Sequence, residues 1–275
     1  MELRRSELGP HPLWHSNQGW RARIGVIYPG AGFHHIADFH KLAPKGVALG
    51  AAAVPRHKDD SVESMLGLDE KVVETAQLLA ASQPDVIGWF CTAGSFLKGK
   101  GHDQRLVREM EEATGLPCTT ASSAVVAALK QLGIKKLSMC TPYPIPVNEI
   151  EKKFLQDNGF DVLACDGLDL VDNNIIVHLS PTVLYRLAKA VDRPDADGIF
   201  LSCTGLDALD VIDALEQDLG KPIVTSNQAS FWMAFALAGV GEPIEGYGRL
   251  FRERREKPAL RSAPVRAAQL GGKAR

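Results

Sequence analysis

The sequence predicts an α/β protein of two pseudo-symmetric lobes, each a mainly parallel sheet flanked by helices, with the active site in the cleft between them. Three observations carry this prediction. Short apolar runs of strand length alternate with amphipathic helical stretches, the pattern of parallel sheets built from strand–helix units. The order of the pieces also repeats. Arg23-Ile24-Gly25-Val26-Ile27-Tyr28-Pro29 has the character of Lys136-Leu137-Ser138-Met139-Cys140-Thr141-Pro142, 113 positions later. The run from Asp85 through Cys91-Thr92-Ala93-Gly94 reads like the run from Asp197 through Cys203-Thr204-Gly205-Leu206, 112 positions later. Gly115-Leu116-Pro117-Cys118-Thr119-Thr120 likewise precedes Gly220-Lys221-Pro222-Ile223-Val224-Thr225. Three pairs in the same order point to a duplicated half. Finally, Gly115, Gly133, Gly159, Gly220 and Gly239 each follow a helical pattern, where a left-handed residue commonly closes a helix.

Taken in order, strands are predicted at Ile24–Tyr28, Val47–Val54, Val86–Phe90, Pro117–Thr120, Leu137–Cys140, Val162–Cys165, Ile199–Ser202 and Ile223–Thr225. Helices are predicted near Ser61–Ala81, Asp103–Thr114, Ser122–Leu132, Val147–Asn158, Pro181–Val191, Asp207–Leu219 and Ser230–Ala238. The first lobe is expected over 22–131, completed by 226–251, and the second over 132–225. Flexible termini are expected at 1–21 and 252–275, the latter because Arg, Lys, Glu, Pro, Ala and Gly dominate there.

Composition narrows the functional classes. At 275 residues with 45% apolar and 23% charged residues, the chain is long enough for one large or two modest cores. A net charge of −2 gives no reason to expect nucleic acid or an anionic membrane as partner. No apolar run approaches the roughly 20 residues that span a bilayer, and the polar stretch Met1–Gln18 lacks the apolar centre of a secretory signal. A cytoplasmic protein is expected, with a small carboxylate as partner. A homo-oligomer is left open.

The five cysteines, Cys91, Cys118, Cys140, Cys165 and Cys203, are odd in number, widely spaced and form no C-x-x-C pair. A disulfide framework or structural zinc is therefore not expected. Cys118 and Cys140 sit within strand runs and Cys165 ends an ordinary one, so these read as small buried hydrophobes. Cys91 and Cys203 differ, because each follows a strand and enters a loop before a helix, where open α/β sheets bind ligands. A free thiol has a pKa of about 8.5, so a thiolate at neutral pH needs support. Loop amides and a nearby helix N-terminus are expected to supply it at both sites, with Gly94 and Gly205 allowing close backbone approach. Thr92, Ser95 and Thr204 add hydroxyl donors. Such donors favour a bound carboxylate and stabilise the charge that builds on it when a proton or CO2 leaves the adjacent carbon. One thiolate can act as base while the opposing thiol acts as acid, or a thiolate can add to an activated double bond.

Other residues carry weaker signals. His34, His35 and His40 with Asp38 lack a metal-ligand spacing and fit a loop that shapes or lids the pocket. Gly25, Gly30 and Gly32 do not form G-x-G-x-x-G, so no nicotinamide cofactor is expected. Lys98-Gly99-Lys100-Gly101-His102 reads as a basic loop, either at the cleft mouth or simply solvated. Tyr143, at a strand end, is a candidate phenol donor, and Trp89 and Phe96 read as core.

Gly115-Leu116-Pro117-Cys118-Thr119-Thr120, Thr141-Pro142-Tyr143 with Val147-Asn148-Glu149, Leu201-Ser202-Cys203-Thr204-Gly205-Leu206, and Gly246-Tyr247-Gly248-Arg249-Leu250-Phe251 together resemble the aspartate/glutamate racemase superfamily. The resemblance runs from about Arg23 to Phe251 and is nearest to the branch holding arylmalonate decarboxylases and maleate cis–trans isomerases. It implies an enzyme without cofactor or metal. By position, it implies that Cys203 is the proton-donating cysteine. It further implies that Thr92, Tyr143 and the backbone at Ala93, Thr204 and Gly205 hold the carboxylate, and that Pro29 belongs to the loop walling the pocket.

The departures from the branch also inform. Its decarboxylases carry glycine where Cys91 stands, whereas its isomerases keep both cysteines but have a Pro-Ser-Ser-Asn loop where this chain has Pro29-Gly30-Ala31-Gly32. Gly205-Leu206 replaces the His or Glu that follows the second Cys-Thr in amino-acid racemases. The expectation is a cofactor-independent isomerase or racemase of a small carboxylic or dicarboxylic acid using Cys91 and Cys203. An arylmalonate-type decarboxylase is the first alternative, and a non-catalytic organic-acid binding protein the second.

Overall fold

The computed structural model of the protein describes residues 18–30, 33–56 and 61–253. The expected flexible ends therefore lie mostly outside the described residues, as do Ala31 and Gly32 of the first loop. Two sheets of four parallel strands form the framework. The first contains β1 (Ala22–Pro29), β2 (Val47–Val54), β3 (Val86–Trp89) and β4 (Cys118–Thr120) in the order β2-β1-β3-β4. The second contains β5 (Lys136–Thr141), β6 (Asp161–Gly167), β7 (Gly198–Leu201) and β8 (Ile223–Thr225) in the equivalent order β6-β5-β7-β8. The repeat in the sequence is thus a repeat in topology. β3 and β7 are buried along their whole length, as expected of parallel strands covered on both faces.

The helices follow the same repeat. In the first half these are α1 (Phe33–Leu42), α2 (Val62–Leu66), α3 (Val72–Ala80), α4 (Thr92–Phe96), α5 (His102–Thr114) and α6 (Ala121–Gln131). In the second they are α7 (Ile145–Asp157), α8 (Asn173–Ile176), α9 (Pro181–Val191), α10 (Ile212–Leu219) and α11 (Ser226–Leu237), and α12 (Arg249–Arg252) follows. Gly115 and Gly220 adopt φ of 71° and 67° and cap α5 and α10 by donating their N–H to the Glu111 and Glu216 carbonyls, as the sequence predicted.

The helices differ from expectation in several places. The single helix expected over Ser61–Ala81 is two, α2 and α3, parted at Gly67. The helix expected from Asp207 starts only after a 3-10 turn at Leu209–Val211. α11 begins at Ser226 rather than Ser230 because Thr225 and Gln228 form a capping box that satisfies its first N–H groups. α1 was not predicted, and its buried face is made of His35, Asp38, Phe39 and Leu42, too polar for an apolar period to stand out.

α11 is buried along nearly its entire length. It packs against β3 and β4 as well as β8, so the helix that follows the second sheet lies under the first. Phe231 anchors it there, edge-on to Phe90 at 4.9 Å and next to Phe39 at 5.9 Å. Arg252, expected in the C-terminal tail, is the last residue of α12, and its guanidinium binds Asp213 and Glu216. Among the described residues no helix is long and apolar enough to cross a membrane.

Candidate active site

Two turns, one beyond β3 and one beyond β7, meet in the cleft. The Thr204 hydroxyl donates to the Phe90 carbonyl at 3.2 Å, which ties the neighbours of the two cysteines directly together. Cys91 and Cys203 open onto the same narrow cavity, whose wall also carries Thr92, Ala93, Thr204 and Gly205. Pro29 and Tyr143 complete the set predicted from the sequence, so all eight predicted residues line one space.

Each cysteine sulfur accepts a backbone N–H. Gly94 N–H donates to Cys91 Sγ at 3.3 Å and Gly205 N–H to Cys203 Sγ at 3.2 Å. The surroundings differ. Cys91 is the N-cap of α4 with extended backbone at φ −146°, and the N-terminal amides of that helix supply the expected positive potential. Cys203 has φ of 116°, a region that L side chains rarely adopt, and the expected helix N-terminus is missing because a turn at Thr204–Gly205 and an irregular stretch precede the 3-10 segment at Leu209. Its backbone N–H instead donates to Ser226 Oγ at 3.0 Å.

The hydroxyls divide by role. Thr92 Oγ1 is buried and makes no hydrogen bond within the described residues, which leaves a donor available at the cavity wall. Ser95, predicted as a ligand donor, does not reach the cavity: its hydroxyl donates to the Cys91 carbonyl at 2.7 Å and meets Ser122 Oγ at 2.7 Å. The Thr204 hydroxyl is committed to the Phe90 carbonyl, so its backbone rather than its side chain is available to a carboxylate.

Tyr143 is almost wholly buried, and its hydroxyl is hydrogen bonded to Cys203. Desolvation, followed by the charge of Cys203, Glu151 and Cys91, pushes its phenol well above the ordinary value, so it stays a proton-bearing donor facing both thiols. α7 positions it. Asn148 donates to the Tyr143 carbonyl at 3.1 Å and accepts from the Thr141 hydroxyl, which itself accepts the Tyr143 N–H at 3.0 Å.

Sequence reasoning missed Arg56, Met65 and Leu68 on the cavity wall. Arg56 stands two residues beyond β2, and its stem lies across Gly30, where an added Cβ would meet it at 3.3 Å. The rule that ligands sit at strand C-termini points to this position as much as to the cysteines. Asn173 and Val177 wall the opposite side. His34 and His35 also line the cavity. His34 Nε2 is 2.8 Å from the Val177 carbonyl, so α1 reaches across to the end of α8 along the cavity wall. His40 is exposed. No group of three or more metal-ligating side chains occurs among the described residues.

The Lys98–His102 segment does not line the cavity. Lys98 and His102 both bind Asp69, at 2.7 Å each, and Lys100 donates to the Asp157 carbonyl at 2.5 Å. Trp89 and Phe96 are fully buried core residues. Burial pushes the thiols of Cys118 and Cys165 up to about 12, and that of Cys140 higher still, consistent with their reading as inert packing groups.

A family model described as arylmalonate decarboxylase matches residues 24–251. Arylmalonate decarboxylase from Bordetella bronchiseptica is 37% identical over 239 residues, which is 84% of this chain and 96% of that protein. Among solved structures, a double variant of arylmalonate decarboxylase, glycine to cysteine and cysteine to serine, in the liganded form superposes with a TM-score of 0.78 at 34% identity, covering 84% of this chain and 98% of its own. A cysteine-to-alanine variant of the maleate isomerase Iso from Pseudomonas putida S16, solved with maleate, has the same fold, with a TM-score of 0.82 at 20% identity over 86% of this chain and 99% of that one.

Proposed function

The chain belongs to the arylmalonate decarboxylase family, and from that premise we propose that it decarboxylates a compact 2-substituted malonate without a cofactor, Cys203 delivering the proton. The observation that carries this reading is the 37% identity to a decarboxylase along nearly its whole length, combined with a thiol and an anion cradle on one cavity. Isomerisation, the first expectation from the sequence, has weaker support, since the isomerase structure above is only 20% identical.

In the proposed reaction one carboxylate of the substrate rests against the amides of Ala93, Thr204 and Gly205, with Thr92 and Tyr143 donating hydroxyl protons. The bond to the second carboxylate breaks and CO2 leaves, its electron pair spreading onto the retained carboxyl as an enediolate. Fixed donors aimed at those oxygens lower the barrier because the charge grows there in the transition state. Cys203 Sγ–H then gives its proton to the α-carbon, and the thiolate is reprotonated from solvent. Arg56 supplies a cation that draws the dianion in. A cytoplasmic setting keeps such thiols reduced.

Cys91 favours a second activity at the same site. A thiolate there can remove the α-proton of a monocarboxylate from one face while Cys203 protonates the other, giving racemisation or isomerisation of the same class of acid. The test incubates the protein with 2-alkyl- and 2-arylmalonates, with maleate, and with single enantiomers of 2-substituted acids in D2O. CO2 release with monodeuterated product supports decarboxylation. Exchange or racemisation with no CO2 from any malonate would transfer the assignment to the second activity, and binding without turnover of any acid would refute both.

A further inference from the structure

Two buried carboxyl groups converge on one cysteine turn and leave the other untouched. Asp38 on α1 and Glu151 on α7 stand 113 positions apart, the offset that relates Arg23 on β1 to Lys136 on β5. The buried residues around them match at the same offset, His35, Asp38 and Leu42 on α1 with Asn148, Glu151 and Leu155 on α7. Both carboxyls are about 1% exposed. Neither contacts the cavity directly.

Their partners flank Cys203. Ser202 Oγ donates to Glu151 Oε1 at 2.5 Å, and Ser202 immediately precedes the cysteine. Asn227 Nδ2 donates to Asp38 Oδ2 at 2.7 Å and to the carbonyl of Thr204, which immediately follows it, at 3.1 Å. The Cys91 turn has no such arrangement. The position equivalent to Ser202 is Phe90, and the Thr92 carbonyl is held by the Ser122 hydroxyl at 3.2 Å.

We propose that Asp38 and Glu151 are positioning residues for Cys203, held as neutral acids while that thiol works, and that Cys91 is free of this control. Each carboxyl has one oxygen in a hydrogen bond and a second, Asp38 Oδ1 and Glu151 Oε2, with no hydrogen-bond partner among the described residues. An ionised carboxylate so placed would be buried and half-satisfied, which is far costlier than its protonated form. It would also put negative charge beside a turn that must carry a thiolate and receive a carboxylate. Desolvation, with little compensation, lifts Asp38 to about 7 and Glu151 to about 8.

The groups facing Asp38 are Lys41 on its own helix, Asn227 on α11, and Asp207 and Asp210 in the segment after Cys203. Those facing Glu151 are Ser202, Cys140 on β5, Cys165 on β6 and Tyr143. The one cation in the set, Lys41, is itself bound to Asp210 at 2.7 Å. The catalytic consequence rests on Cys203 being the proton donor, but the structural claim can be tested without substrate.

The experiment alkylates the full chain with iodoacetamide from pH 6 to 9 and quantifies Cys203 and Cys91 peptides by mass spectrometry. As the carboxyls ionise, the Cys203 to Cys91 rate ratio falls by about tenfold, equivalent to one pKa unit. In the Asp38→Asn, Glu151→Gln double variant, isosteric and unable to ionise, the ratio stays flat. A flat ratio in the unmodified protein overturns the proposal, as does a fall of the same size in the double variant. Should circular dichroism find the double variant unfolded, Asp38→Asn and Glu151→Gln singly must each remove part of the fall, and two unaltered profiles overturn the proposal. Alkylation is independent of turnover, so its outcome is distinct from failure of the decarboxylase reading.

Discussion

The turn at Cys91 and the turn at Cys203 descend from the same position in a repeated half, yet they present sulfur differently. At Cys91 the backbone is relaxed, the sulfur caps a helix, and hydroxyls of Ser95 and Ser122 hold the following carbonyls. At Cys203 the backbone has a φ of 116°, no helix follows directly, and buried carboxyls stand behind the neighbours on either side. A strained residue of this kind persists only where its surroundings over-determine it, and such residues cluster at functional sites. Two thiols at repeated positions thus stand in locally different surroundings.

Removing each sulfur is the strongest way to break the comparison. Cys203→Ala is expected to lower malonate turnover by about 10³-fold, the usual scale for loss of a proton-transferring group, whereas Cys91→Gly should keep decarboxylation within about tenfold and abolish α-proton exchange. Steady-state CO2 release and deuterium incorporation measure the two. Equal losses from both substitutions would erase the functional asymmetry.

A change of pH sharpens the same contrast. Asp38 and Glu151 carry protons in the folded chain up to about pH 7 and 8, but release them near their ordinary values of 3.8 and 4.5 once unfolded. Their contribution is therefore fully present below about pH 4 and is lost as pH rises through about 8. Urea unfolding should find the protein losing on the order of a few kcal/mol over this window relative to the Asp38→Asn, Glu151→Gln variant, with parallel curves counting against the assignment.

The smallest expected effect concerns backbone strain. At Cys203 glycine should be more stable than alanine by about 1 kcal/mol, because only glycine adopts φ of 116° without steric cost. At Cys91, with φ of −146°, alanine should be at least as stable as glycine. Denaturant midpoints for the four variants decide the order at each position.

The duplicated strands and both cysteine turns were legible in the sequence because buried parallel strands are written as continuous apolar runs. α1 was not, since His35 and Asp38 occupy core-facing positions where a periodicity argument looks for aliphatic residues. For the same reason the link from Asp38 to Asn227 could not be anticipated: the residues are 189 positions apart and meet only because α11 crosses beneath the first sheet. Ser95 was misassigned because a hydroxyl three or four residues into a helix can bond back to a carbonyl of the preceding turn, and composition carries no sign of that choice. Arg56 was not legible although it lies near the C-terminal end of β2, because the repeated Cys-Thr motif marks only the ends of β3 and β7.

His34, Asp38 and Lys41 fall on one short helix, and each grips a residue from the second half of the chain: Val177, Asn227 and Asp210. The helix that lends His34 and His35 to the cavity wall thus also ties residues distant in the sequence together. A substitution that loosens α1 therefore disturbs the cavity wall and the join between the two halves together.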